Sequence, residues 1–196
     1  MKPIILGSQS PRRKEIFSFF SLPFIQVPSH FEEESIHFLG DPQRYALMLA
    51  EKKAEVLSHQ FPDNIVLTAD TVVYCKDRIY NKPVDEEHAH VMLKELAGTW
   101  HSVFTAVAVR QMDSMVSDCE ETKVYIRTLS DEQIALYHRS CHFLDKAAGY
   151  AIQNAGSMII AKIEGCYYNV MGLPVGTTRA LLLSFGIDLW DYLNPF

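Results

Sequence analysis

Short apolar runs and longer amphipathic stretches alternate along this chain. Ile4 to Leu6 is an apolar triplet ended by Gly7, which predicts a short buried strand. Pro11 to about Phe20 reads as a helix, with Ser10 as N-cap and Pro11 at the first helical position. Phe24 to Val27 predicts a second strand. A long helix is expected from Asp41 to about His59, where Tyr45, Leu49 and Val56 recur at helical spacing beside Leu47, Ala50 and Leu57. Strands are predicted over Asn64 to Ala69 and Val72 to Cys75, bracketing Asp70, and a helix over Glu86 to Ala97, ending before Gly98. Val103 to Arg110 and Lys123 to Leu129 read as strands, the second with Val124, Ile126 and Thr128 on one face. Ser130 and Gln133 form a capping-box pattern that starts another helix. Ser157 to Ile163 predicts a strand, and Pro174 to about Phe185 a last helix that stops near Gly186. Some strands are separated by helices and others adjoin directly, so the class is α/β with a mixed sheet. No repeat, low-complexity stretch or long linker divides the chain, and a single domain over residues 1–196 is expected.

Composition narrows this picture. At 196 residues the chain is long enough to bury about 70% of its unfolded surface, so it needs no staple. The four cysteines, Cys75, Cys119, Cys141 and Cys166, are far apart and form no C-x-x-C pair. That predicts reduced thiols and a cytoplasmic protein. The N-terminal apolar run is too short for a secretory signal, and no stretch approaches the roughly 18 apolar residues of a membrane span. A net charge of −6 argues against general nucleic-acid binding. It leaves room for a small anionic substrate, because local charge can oppose the total.

The segment from Gly7 to Lys14 joins a predicted strand to a predicted helix. Its small and polar residues suit a turn whose N–H groups point at an anion. Arg12, Arg13 and Lys14 then crowd the first helical turn, where the helix dipole disfavours cations by about 0.3–1 kcal/mol each. A bound polyphosphate would reverse that penalty, and arginine grips phosphate in bidentate fashion. Solvated cations partly balanced by Glu15 are the alternative. The spacing of a P-loop is absent.

Asp70 sits in an otherwise apolar segment, Leu67 to Val73, so it is either a paired structural acid or a functional one. Glu32, Glu33 and Glu34 follow the second strand. Hydrolysis of a phosphoanhydride needs a divalent metal, a positioned water and cationic donors. Magnesium takes one or two carboxylates besides phosphate oxygens and water, and Glu33 with Asp70 could supply that pair. His101 is read as a structural hydrogen-bonding group beside Trp100.

The motifs in order resemble those of the Maf family of nucleotide pyrophosphatases. They are Ser8-Gln9-Ser10-Pro11-Arg12-Arg13-Lys14-Glu15, Glu33, Leu49 to Ala54, Ala69-Asp70-Thr71-Val72-Val73, Asn81-Lys82-Pro83, Gly98 to Val107, Thr122-Lys123-Val124, Asp145 to Gln153, and Ile163 to Pro174. The resemblance spans nearly the whole chain. It implies an elongated mixed sheet flanked by helices, two lobes with a central cleft, and a fold related to inosine-triphosphatase-like enzymes. It also implies homodimers, a divalent cation (Mg2+, Mn2+ or Co2+) and cleavage of a nucleoside triphosphate to monophosphate and pyrophosphate. By the same resemblance Asp70 is the general base, Glu33 positions metal or water, and Asp70 and Glu33 hold the metal. Arg13, Lys53, Lys82 and Lys146 contact phosphate, and Ser8 supplies a phosphate-loop hydroxyl.

Arg12, Thr71 and Gln153 resemble the branch that hydrolyses dTTP and UTP. Gln153 also has a physical rationale, since its amide can donate and accept at a pyrimidine edge. The other reading of the family is a nucleotide-binding regulatory protein of septum formation. This chain departs from the pattern at two places. Ala148 and Gly149 stand in swapped order, so a position needing positive φ loses its glycine, and Asn154 replaces a usual glycine.

Overall fold

A computed structural model describes residues 2–193. Its framework is a seven-stranded mixed sheet flanked by helices, with strand order β2-β1-β3-β5-β6-β7 and β4 paired to β3. The first strand β1 (Ile4–Gly7) lies parallel to β2 (Phe24–Gln26) and to β3 (Val66–Cys75). The hairpin strands β4 (Arg78–Tyr80), β5 (Trp100–Gln111), β6 (Ser114–Ile126) and β7 (Ile160–Glu164) pair antiparallel.

Residue alternation along β3 divides the core. Ile5, Val66, Val72, Phe104, Ala106 and Ala108 face one side, where α2 (Pro42–Gln60) covers them with Ala46, Leu49, Ala50, Ala54 and Leu57. The opposite side is shared by two helix groups. Around β1 and the first half of β3 pack α1 (Pro11–Phe17) and α7 (Val175–Leu183), through Ile16, Phe17, Leu181 and Leu182. Around Val73, Val103, Val124 and Ile126 pack α3 (Glu86–Leu96) and α4 (Asp131–Ser140), through Leu93, Leu96, Ile134 and Tyr137. Burying such side chains stabilises the fold by roughly 1.5–3 kcal/mol each.

The capping signals act as read. Ser10 accepts from the Arg13 N–H, Asp41 from that of Arg44, and Ser130 with Gln133 completes a capping box. Several expected elements differ. The two strands expected around Asp70 are one continuous β3, because Lys53 from α2 neutralises the acid inside the sheet. The strand expected at Lys123 begins at Ser114 and ends at Ile126, since its polar first half borrows a core from β5. Residues 157–159 belong to a short helix α5 (Gly156–Ile159), and the strand starts only at Ile160. The first helix stops at Phe17, and Phe20 instead bridges to Leu193. The aromatic pair Tyr167-Tyr168, read as core or rim residues, starts α6 (Tyr167–Met171). No helix among the described residues is long and apolar enough to cross a membrane.

Candidate active site

The site forms where β3 runs short of neighbours. On one edge β1 pairs with it only as far as Gly7 opposite Thr68, and β4 begins only at Tyr80 opposite Val73. Ala69 to Val72 therefore keep β5 on one edge and have no strand on the other. A cleft of about 960 Å³ opens over this gap. Its walls come from the Ser8 to Arg13 turn, the Glu32 to Glu34 segment, Asn81-Lys82, Asp145 to Ala147 and Gly172. Asp70 and Thr71, adjacent in a strand, present their side chains to opposite faces of the sheet, and both line the cleft.

On the α2 side, Lys53 sits in the buried stripe between Leu49, Ala50, Ala54 and Leu57. Its ammonium donates to Asp70 Oδ1 and, at 2.8 Å, to Glu33 Oε1. Glu33 opens a 3-10 turn, Glu33–Ser35, that follows β2. Burial alone would lower the Lys53 pKa, but the charges of Asp70 and Glu33 outweigh it and hold the group above the ordinary lysine value. Burial would raise Glu33, yet Lys53 foremost, then Lys82 and Arg13, hold it below the usual carboxylate range. The trio is thus fixed as one cation between two carboxylates. Asp70 Oδ2 takes part in no hydrogen bond among the described residues. Lys82 lines the cleft from the segment after β4.

On the other face, α1 carries Arg13 into the gap. Its Nε donates to the Gly172 carbonyl at 2.6 Å, Nη2 to Thr71 Oγ1 at 2.9 Å and Nη1 to Ser8 Oγ at 3.3 Å. Burial pulls the guanidinium below the ordinary arginine value, against the attraction of Asp70. It stays charged, as arginines in proteins do. Gly172 closes α6 at φ +103, and a Cβ there would stand 3.2 Å from Thr71 Oγ1 and 3.4 Å from Arg13 Nε. The close approach of that backbone to Arg13 needs glycine.

Arg12 and Lys146 both reach Asp145, at 3.5 Å and 2.6 Å, so this acid joins the first helix to the far wall of the cleft. The sequence did not single Asp145 out, although it stands beside Lys146 in a quoted motif. The departure at Ala148 resolves in the backbone. Ala148 has φ +58 and Gly149 φ +66, so two successive residues take the left-handed region and only one is glycine. The turn holds because the Ala148 N–H donates to the Asn81 carbonyl at 3.0 Å and the Ala148 side chain is buried. Asn154, at φ +53, takes the conformation its usual glycine would.

The structure therefore brings Ser8, Arg12, Arg13, Glu33, Lys53, Asp70, Thr71, Lys82 and Lys146 to one cleft. Gln153 lies just beyond it: Ile152 lines the wall, and the Gln153 carbonyl accepts from the Gly156 N–H at 2.9 Å. His101 lies outside as well, buried with Nε2 2.6 Å from the Tyr150 hydroxyl. Burial lowers its pKa to about 4, which leaves it a neutral structural group.

No group of three or more His, Cys, Asp or Glu that could hold a metal occurs among the described residues. Asp70 and Glu33 are drawn together by Lys53, which fits the one or two carboxylates that magnesium takes when phosphate oxygens and water complete its shell. The donor set suits a cation that arrives with a polyphosphate, and it does not form an all-protein cage.

Comparison with known proteins identifies the family. Residues 3–185 match the family model described as Maf-like protein. The chain is 44% identical over 191 residues to the dTTP/UTP pyrophosphatase of Chlamydia trachomatis serovar L2, covering 97% of each chain. It is 45% identical over 195 residues to that of Chlamydia felis, covering 98% of this chain and all of the relative. A Chlamydia pneumoniae protein named nucleoside triphosphate pyrophosphatase is 39% identical over 192 residues, covering 97% of each. Among solved structures, the Staphylococcus aureus Ham1 protein shares the fold, with a TM-score of 0.52 at 12% identity over 94% of this chain and all of that one. With its family match running through the cleft residues and its relatives aligned nearly end to end, this chain belongs to the Maf family.

Proposed function

We propose that the protein hydrolyses nucleoside triphosphates of the dTTP and UTP class to the monophosphate and pyrophosphate. The observation that carries this reading is the Asp70–Lys53–Glu33 trio facing Arg13 across the gap in the sheet. An acid paired with a buried cation, with further cations on the opposite wall, is what attack of water on a phosphoanhydride requires. Asp70 accepts the proton of the attacking water through the carboxylate oxygen that Lys53 leaves unbound. The new P–O bond forms at the α-phosphorus as its bond to the bridging oxygen breaks, and pyrophosphate departs with the electron pair. Arg13, Lys82 and Lys146 face the charge that develops on it, with Lys146 and Arg12 exchanging Asp145 for phosphate. A divalent cation, held by Asp70 and Glu33 with the substrate's own oxygens, would neutralise the phosphates. The pyrimidine preference follows that named for the relatives.

We further assign the protein to the cytoplasm, as a homodimer. Its four cysteines are free thiols, as in a reducing compartment, and burial pushes the Cys119 thiol up to about 12.

Asp70→Asn tests the assignment. Assayed with UTP and dTTP in magnesium, manganese or cobalt, at a temperature where circular dichroism shows the variant folded, it is expected to lose pyrophosphate release by at least about 100-fold. Full activity in that variant would remove Asp70 from the base role. A wild-type protein that binds dTTP but releases no pyrophosphate with any of the three metals would favour a regulatory role.

A further inference from the structure

We propose that Thr105 is a positioning residue for Arg13, acting from outside the cleft through the Thr71 hydroxyl. Thr105 lies on β5 directly opposite Thr71 and is wholly buried. Its single hydroxyl proton is committed, because Oγ1 donates to the Asn169 carbonyl at 2.8 Å. The two threonine oxygens are 2.9 Å apart, so the proton between them must come from Thr71. Thr71 Oγ1 in turn accepts from Arg13 Nη2 at 2.9 Å. The direction of every proton in the row is thereby fixed: Arg13 donates to Thr71, Thr71 to Thr105, and Thr105 to the main chain of α6.

This polarity has a consequence for the guanidinium. A threonine hydroxyl free to rotate could turn its proton toward Arg13 and repel it. Thr105 removes that state by giving the proton an acceptor on the far side. Arg13 is then held at Thr71, at Ser8 and at the Gly172 carbonyl, which uses three of its five N–H groups and leaves two for an anion. The far end of the row is itself anchored. The Asn169 amide donates to the Val103 carbonyl at 3.0 Å and to Thr122 Oγ1 at 2.8 Å, so the accepting carbonyl belongs to a helix tied into β5 and β6. The Gly172 carbonyl that takes Arg13 Nε lies one turn further along the same segment. One short helix therefore sets the Arg13 guanidinium at two points, directly and through the threonine pair.

The inference rests on the pyrophosphatase reading for its kinetic consequence. Charge developing on the leaving group is the charge of free pyrophosphate, so an Arg13 released from its post loses both rate and product affinity. Thr105→Val keeps the shape and removes the acceptor. Pyrophosphate release from UTP with magnesium is expected to fall about tenfold in kcat, with KM within twofold, as for loss of one neutral buried hydrogen bond. Product inhibition by pyrophosphate weakens in parallel. Thr105→Ser restores the hydroxyl and returns kcat to within twofold of wild type, which a purely steric role would not produce. Wild-type kcat in Thr105→Val, or failure of Thr105→Ser to restore it, overturns the proposal. Should Thr105→Val melt below the assay temperature, Thr105→Ala against Thr105→Ser makes the same comparison. If the wild type releases no pyrophosphate at all, calorimetric binding of inorganic pyrophosphate decides. A weakening in Thr105→Val that Thr105→Ser reverses supports the positioning role, and equal binding in all three contradicts it.

Discussion

Lys53 is the residue on which the site's electrostatics turn. It occupies a core position of α2, yet it is held charged by Asp70 and Glu33. Removing Lys53 leaves its buried partner Asp70 without a cation, which costs about 3–5 kcal/mol. Lys53→Met is therefore expected to lower the melting temperature at pH 7 and to abolish pyrophosphate release, with thermal denaturation and activity as the two readouts. A variant with unchanged melting would show that the trio does not carry stability. His101 supplies a pH-dependent effect away from the cleft. Its folded pKa, about 4, lies below the ordinary 6.5, so the unfolded chain binds the extra proton between those values. Stability from this source is present above pH 6.5 and lost as the pH falls toward 4, by about 3 kcal/mol in all. In denaturant titrations, His101→Gln should flatten that part of the acid limb. An unchanged slope would place the linkage elsewhere.

At the scale of elements, the turn at 146–149 joins a strained conformation to a functional wall. Ala148 and Gly149 both lie at positive φ, and a Cβ on Gly149 would meet Ala89 of α3 at 3.2 Å. Gly149→Ala should cost about 1–2 kcal/mol, seen as a lower denaturation midpoint, because the conformation and the contact both oppose it. No loss of stability would mean that the turn relaxes freely. Three of the helices were legible in the sequence, whereas α6, which sets Arg13, was not. Ser10, Asp41 and Ser130 announced their starts through chemistry that acts within one turn. The strands were less so. β6 looks polar from Ser114 to Glu121 because that half pairs with β5 through a tight turn at Met112-Asp113 while burying none of its side chains fully, so no apolar alternation records it. β3 was divided at Asp70 because the cation that makes an acid tolerable there lies 17 residues away. Lys53 did carry a local signal, a lysine inside the apolar stripe of a helix, and it points to the buried pair without any family resemblance.

In the whole molecule, the cleft follows from the order in which strands join the sheet. β1 arrives parallel and stops at Gly7, β4 arrives antiparallel from the other end, and the four residues between them have no strand on that edge. The basic turn after β1 and the loop after β4 are thereby placed at opposite rims of one gap. Motif order could list the members of the site, but not that Asp70 and Thr71 approach it from opposite faces of the sheet, nor that Gln153 stops short of it. That geometry depends on the register between β3 and β5, which is a property of the complete fold. The central claim is that the cleft cleaves a triphosphate between its α and β phosphates. It is tested most directly by the identity of the products formed from UTP and magnesium, resolved by phosphorus NMR during the first turnovers. Uridine monophosphate and pyrophosphate in equal amounts are the predicted result. Uridine diphosphate with inorganic phosphate as the first products would contradict it.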